Sequence, residues 1–150
     1  KLRRANSTDA VDIWNWRNDP LTRAMSRASG IVSWESHCEW FARALEDKSV
    51  VLYIAMDKEP CTKLGVVRFD IKSAKDIAEV SINLNPEMRG RGLGKLVLSL
   101  AIEEFFKYFS LNLVAEVKPK NAASIKLFTA LGFREIGMEN EMKRFSKPFG

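Results

Sequence analysis

Arg89-Gly90-Arg91-Gly92-Leu93-Gly94 lies between an alternating strand pattern and a strongly periodic helix, and its reading decides the fold. Three glycines in five positions leave backbone N–H groups bare of side-chain cover, and the helix that follows points its positive dipole end at them. Together they form an anion cradle suited to a pyrophosphate, to which Arg89 and Arg91 add bidentate phosphate donors. Taken alone, the run is equally consistent with an ordinary Gly-rich turn. Two familiar phosphate loops fail against it. A P-loop needs Gly where Arg89 stands and Ser or Thr after Lys95, where the chain has Leu96. The dinucleotide fingerprint begun at Gly90 needs Gly or Ala where Lys95 stands.

Working outward, Ala78 to Asn85 alternates cleanly. Val80, Ile82 and Leu84 face one way, and Glu79, Ser81, Asn83 and Asn85 the other, before Pro86 ends the strand. Downstream, Leu93, Leu96, Val97, Leu100, Ala101 and Phe105 recur at core-facing helical spacing. Upstream, Val50 to Met56 and Leu64 to Ile71 read as a hairpin across a turn at residues 57–60. A short strand over Leu2 to Asn6 precedes a helix capped by Thr8 or Asp9, with Ala10, Ile13, Trp14 and Arg17 on one face and a stop near Asp19-Pro20. Residues 21 to 32 read as loop. A second helix from Ser33 aligns Trp34, Cys38, Phe41 and Leu45. Leu111 to Val117 is a strand and Asn121 to Leu131 a helix, with Gly132 at its C-terminal cap. Phe133 to Gly137 and Glu139 to Phe145 form a closing strand pair, the last polar enough for a sheet edge. The order β-α-α-β-β-β-α-β-α-β-β predicts an α/β (α+β) fold, a mixed sheet of about seven strands with helices on both faces.

The 150 residues fit one domain, and 46% hydrophobic with 29% charged is ordinary globular composition. A net charge of +5 suits an anionic ligand but is too diffuse to indicate nucleic acid. Cys38 and Cys61 have no paired spacing, which fits a reducing cytoplasm. No apolar run approaches a membrane span. The start, Lys1-Leu2-Arg3-Arg4, lacks a signal-peptide core, and opening on Lys rather than Met implies that a few residues precede it. No metal-ligand cluster is visible.

Arg-x-x-Gly-x-Gly after strand 78–85 resembles the acyl-CoA pyrophosphate loop of the GNAT acetyltransferase superfamily. A second segment, Asn121-Ala122-Ala123-Ser124 through Leu127-Phe128 to Leu131-Gly132-Phe133, is similar to that family's Asn motif. The two motifs cover roughly residues 78 to 137 in the family's order. The resemblance implies a centrally splayed sheet and acetyl-CoA as co-substrate. The free edge at Ile82, Asn83 and Leu84 would bind the pantetheine arm. Met88, Arg89, Gly90, Arg91, Gly92, Leu93 and Gly94 would hold the pyrophosphate, with Asn121, Ser124 and Phe128 beside the cofactor beyond the splay.

Acetyl transfer to an amine needs a neutral amine, a donor for the developing oxyanion and a proton for the leaving thiolate. Glu116, which matches a glutamate of some ribosomal-protein N-acetyltransferases, is the first candidate base, and Glu79 on the polar face of the strand is the second. The N–H of Leu84 is the expected oxyanion donor. Phe128 departs from the Tyr that many relatives use to protonate the thiolate. Trp16-Arg17-Asn18-Asp19-Pro20, Arg23 and His37 resemble the front half of bacterial aminosugar N-acetyltransferases. That likeness implies a nucleotide-linked amino sugar as acceptor, with Arg17, Arg23 and Arg27 on its anionic groups. His37, on the apolar side of its helix, reads first as a packed core residue, and the arginines read equally as solvated ones. A peptide or ribosomal-protein N-terminal amine is the other acceptor, and a non-catalytic acyl-CoA-binding module is the rival class. The expected partners are a small-molecule or peptide amine, with neither nucleic acid nor membrane, and the chain as a monomer or homodimer.

Overall fold

The computed structural model describes residues 1–59 and 61–150, so Pro60 of the expected 57–60 turn lies outside the described residues. Its elements are β1 (Leu2–Arg4), α1 (Ala10–Asn18), α2 (Pro20–Met25), α3 (Trp34–Glu46), β2 (Val50–Met56), β3 (Lys63–Lys72), β4 (Ile77–Leu84), α4 (Leu93–Phe106), β5 (Asn112–Val117), α5 (Ala122–Ala130), β6 (Arg134–Glu139) and β7 (Met142–Lys147). All seven strands join one sheet in the order β1-β2-β3-β4-β5-β7-β6. Its pairs are antiparallel except β4 with β5. The expected mixed sheet with helices on both faces is what the chain builds.

Strand alternation divides the core in two. Val51, Tyr53, Val67, Phe69, Ala78 and Val80 face α4, where Phe69 stacks on Phe105 at 4.1 Å. Leu52, Ile54 and Val66 face the other way and pack with Ile13, Trp16, Phe41 and Ala44 of α1 and α3. The polar residues of β3 and β4 share this second face, because register pairs Arg68 with Ser81 and Asp70 with Glu79. One face therefore carries a continuous apolar core, and the other is apolar near β2 and polar toward β5.

Several local expectations are corrected. Asp19-Pro20 does not stop the helix into a loop. The Asp19 side chain accepts from the Thr22 N–H, and Pro20 begins α2. Asp plus Pro is a start signal as well as a stop. Strand β1 ends at Arg4. Asp9 stands at the N-cap of α1, one of the two expected positions, but makes no side-chain cap there; the side-chain cap is that of Asn6 on the 3-10 turn leading into the helix. Helix α3 buries His37, Phe41 and Ala44, so its apolar face is turned by about one residue from the expected Trp34-Cys38 row. The last strand is internal. Asn140 and Glu141 both adopt positive φ (51° and 65°) and form the hairpin turn, and Gly137 makes a bulge. Strand β7 consequently buries Met142 and Phe145 between β5 and β6, and β6, exposed along its length, is the edge.

Asp9 fastens the front of the fold. Its side chain is fully buried, accepts two 2.8 Å bonds from Arg3 and one from the Asn6 N–H, and lies 2.8 Å from Lys63 Nζ. Burial alone would raise its pKa, but Arg3, Lys63 and the Asn6 N–H outweigh burial and hold the carboxyl well below the usual range. Because the folded value lies below the unfolded one, the stabilisation is complete above about pH 4 and is lost as the pH falls further. Asp9→Asn is expected to cost about 3 kcal/mol at pH 7, the low end for a broken buried pair, since Arg3 and Lys63 can still reach water. Urea unfolding should show the deficit shrinking below pH 4; a constant deficit would mean that packing, not charge, is lost.

Candidate active site

The parallel pairing of β4 with β5 covers only Ile77–Glu79 against Asn112–Val114. Beyond it β4 continues to Leu84 along β3, and β5 continues to Val117 along β7, so the two strands part. The N–H of Asn85 donates to Leu64 O at 2.8 Å, which turns the odd-numbered residues of this strand toward β3. By alternation, the main-chain groups of Ile82 and Leu84 turn toward the gap. Gly65 allows this geometry. A Cβ there would lie 2.8 Å from Asn83 O, so β3 can approach the end of β4 only without a side chain.

A cleft of about 960 Å³ follows the gap. One end is the glycine loop. Gly90 and Gly92 have φ of +75° and +69°, and a Cβ at either would enter open space. Gly92 is also the N-cap of α4, with no side-chain cap and no acidic residue in the first turn. The first N–H groups of α4 are therefore left for a ligand, and the cradle fits a diphosphate. Met88, Leu93, Gly94 and Lys95 line this end. Lys95 escaped notice in the sequence because in a helical pattern it reads as surface charge.

The two loop arginines separate. Arg91 is exposed. Arg89 was expected on the pyrophosphate, but its Nη2 donates to Asp19 Oδ2 and Thr22 Oγ1, each at 2.6 Å, tying the loop to the start of α2. That bond, against the modest effect of burial, lowers the Asp19 pKa. Asn121 and Ser124 also line the cleft, yet the Asn121 side chain is engaged in capping α5 through Ser124 N and Oγ (3.2 and 3.0 Å). Phe128 is buried at the cleft wall, edge-on to Phe133 at 5.0 Å.

On the α1–α2 side, Glu79 and Glu116 both line the cleft, with Arg17, Trp40, Arg68 and Asp70. Glu116 lies on the splayed half of β5 and is paired with Arg27. Lys118 Nζ donates to Ala24 O at 2.9 Å, so α2 and its N-cap Asp19 are tied to the ends of both arms of the gap. Of the expected acceptor residues, Arg17 and Arg27 line the cleft, Arg27 as the partner of Glu116. Trp16 is core. The Asn18 amide pins Val32 through both its N–H and carbonyl at 2.8 Å. Arg23 ties Asn18 O and Ser29 O. His37 is fully buried, with Nε2–H donating to Ala10 O at 2.8 Å and its ring stacked on Phe41. Burial, aided by the charge of Arg17 against the Ala10 bond, keeps its pKa below the ordinary value. These four hold the acceptor wall together from behind.

A parted parallel pair beside a positive-φ glycine loop and an uncapped helix forms one cleft with an anion cradle at its end. The chain belongs to the GNAT family of acetyl-CoA-dependent N-acetyltransferases: the family description "Acetyltransferase (GNAT) domain" matches residues 1–134. It is 38% identical over 55 residues, 37% of each chain, to the ribosomal protein bS18-alanine N-acetyltransferase of Salmonella typhimurium. Its fold superposes on the Vibrio cholerae spermidine N-acetyltransferase in complex with CoA and spermine (TM-score 0.84, 19% identity, 97% of this chain and 92% of that one). It likewise superposes on a domain from Methanocaldococcus jannaschii (TM-score 0.83, 22% identity, 98% and 96%).

Proposed function

We propose that this chain transfers the acetyl group of acetyl-CoA directly to a primary amine, with both substrates bound at once. The carrying observation is the parting of β4 from β5 after Glu79, which gives one cleft open to the glycine loop and to the acidic acceptor wall. When bound, the thioester supplies an activated carbonyl carbon and a thiolate leaving group. The protein supplies the rest. The edge at Ile82 and Leu84 pairs with the pantetheine amides, whereas the main chain of Asn83, expected there too, turns to β3; Leu84 N–H faces the carbonyl oxygen as it gains charge. Glu116 takes the proton of the acceptor ammonium, directly or through water, with Glu79 as the second base. The amine nitrogen forms the new C–N bond as the C–S bond breaks, and the sulfur takes its proton from water or the product, because Phe128 has none to give.

The acceptor reading follows the charges. Arg17 in the cleft supports a nucleotide-linked amino sugar. The similarity to the Salmonella enzyme and the position of Glu116 support a peptide N-terminal amine as the second reading. Thiol release from acetyl-CoA, measured with aminosugar nucleotides, peptide N-termini and polyamines, tests the proposal. Amine-dependent release is expected with the first or second group, and acetyl-CoA binding without release in any group would make the chain a non-catalytic binder. Phe128→Tyr is expected to leave kcat unchanged or raise it up to about tenfold by restoring a thiolate acid. Complete loss would put the ring away from the sulfur.

A further inference from the structure

The acceptor wall has two charged ends. Glu79 and Glu116 lie along β4 and β5 at the gap, where an ammonium would be held and deprotonated. The other end, on α1 and β3, is cationic. Arg17 Cζ lies 5.6 Å from the Trp40 ring centroid and Arg68 Cζ 4.9 Å from the same centroid, and all three side chains line the cleft. Arg68 is neutralised by Asp70 at 2.8 Å. Among the described residues no carboxylate pairs with Arg17. Its pKa is lowered first by burial and then by the like charge of Arg68, the signature of a cation held in place without a counter-ion. Holding two guanidiniums together in a half-buried cleft costs energy that an anion would return.

We infer that Arg17 and Arg68, backed by Trp40, seat a phosphate ester carried by the acceptor itself, so that the substrate is a small phosphorylated amine. The inference rests on the acetyltransferase reading for its orientation, amine toward Glu116 and phosphate toward Arg17. A guanidinium is a bidentate partner for phosphate oxygens, and Arg17 and Arg68 share the Trp40 indole at the cleft wall. The nucleoside of a nucleotide-linked sugar is not required by this seat; the charge is.

Calorimetric titration separates the two readings, run with and without saturating CoA so that the glycine loop is filled in one arm. Glucosamine 1-phosphate is expected to bind at least tenfold more tightly than glucosamine, about the strength of one charge-assisted hydrogen bond. Arg17→Gln and, separately, Arg68→Gln should each abolish that difference while acetyl-CoA affinity stays within twofold. Far-UV circular dichroism checks that both variants are folded. Equal affinity for the two sugars, or a preference that survives both substitutions, overturns the inference. So does a short peptide amine that displaces glucosamine 1-phosphate and is indifferent to Arg17→Gln. Failure of the parent protein to bind acetyl-CoA would remove the acetyltransferase reading, while an Arg17-dependent preference in the CoA-free arm would leave the phosphate seat standing.

Discussion

Glu116→Gln is expected to lower kcat about a hundredfold while the Kd for acetyl-CoA moves less than twofold. The factor is the lower range for a positioned general base, since a desolvated cleft and bulk water can still remove some of the proton. Glu116 is placed for that work by the sheet. Strand β5 stays bound to β7 through the Glu116–Arg144 register pair after it has left β4, so the carboxylate is held on a rigid strand at the open gap. In the free protein Arg27 occupies the carboxylate, and an acceptor ammonium is the natural replacement for that cation. Glutamine preserves the shape and removes the ability to take a proton. Thiol-release kinetics with the best acceptor, paired with calorimetry of acetyl-CoA, reads the two quantities independently. Turnover within threefold of wild type would transfer the role to Glu79, to be tested by the same substitution there.

The features legible in the sequence are those set by neighbours along the chain. Alternation over β4 identified which residues face the core and which the cleft, because a strand has period two whatever covers it. Positive φ at Gly90 and Gly92 was likewise written locally, as was the Gly132 cap, where φ is +90° and Phe133 N–H returns to Phe128 O at 3.0 Å. What failed depended on partners distant in sequence. Arg89 looked like a phosphate ligand until Asp19, 70 positions away, claimed it. His37 and Asn18 carry the functional groups of a site but are engaged by Ala10 (through Nε2 of the imidazole) and Val32. Arg68 and Asp70 went unremarked inside an apolar strand, because only the pairing of β3 with β4 turns them into the acceptor wall. The inward position of β7 was hidden for a related reason. It buries only Met142 and Phe145 and leaves its other four residues half-exposed although it lies between β5 and β6, so polarity there does not mean an edge.

Gly92→Asp is expected to raise the Kd for acetyl-CoA about a hundredfold and to lower stability by only about 1 kcal/mol. The two effects have different origins. Asp is among the few residues that tolerate the left-handed region, so φ of +69° is affordable, and the added Cβ meets nothing within 4 Å. The open space is the point, because in the proposed bound state it belongs to the diphosphate. A carboxylate there meets like charge at contact distance, and it also offsets the positive end of α4 that makes the seat attractive. Gly92→Ala separates the contributions. It carries the backbone cost without the charge, and should lose about 1 kcal/mol of stability with less than a tenfold change in affinity. Thermal unfolding with and without acetyl-CoA measures both at once: the ligand-induced rise in Tm should persist in the Ala variant and vanish in the Asp variant at the same ligand concentration. An Asp variant that binds acetyl-CoA as tightly as the parent would put the diphosphate elsewhere, and the parted strands would then need another occupant.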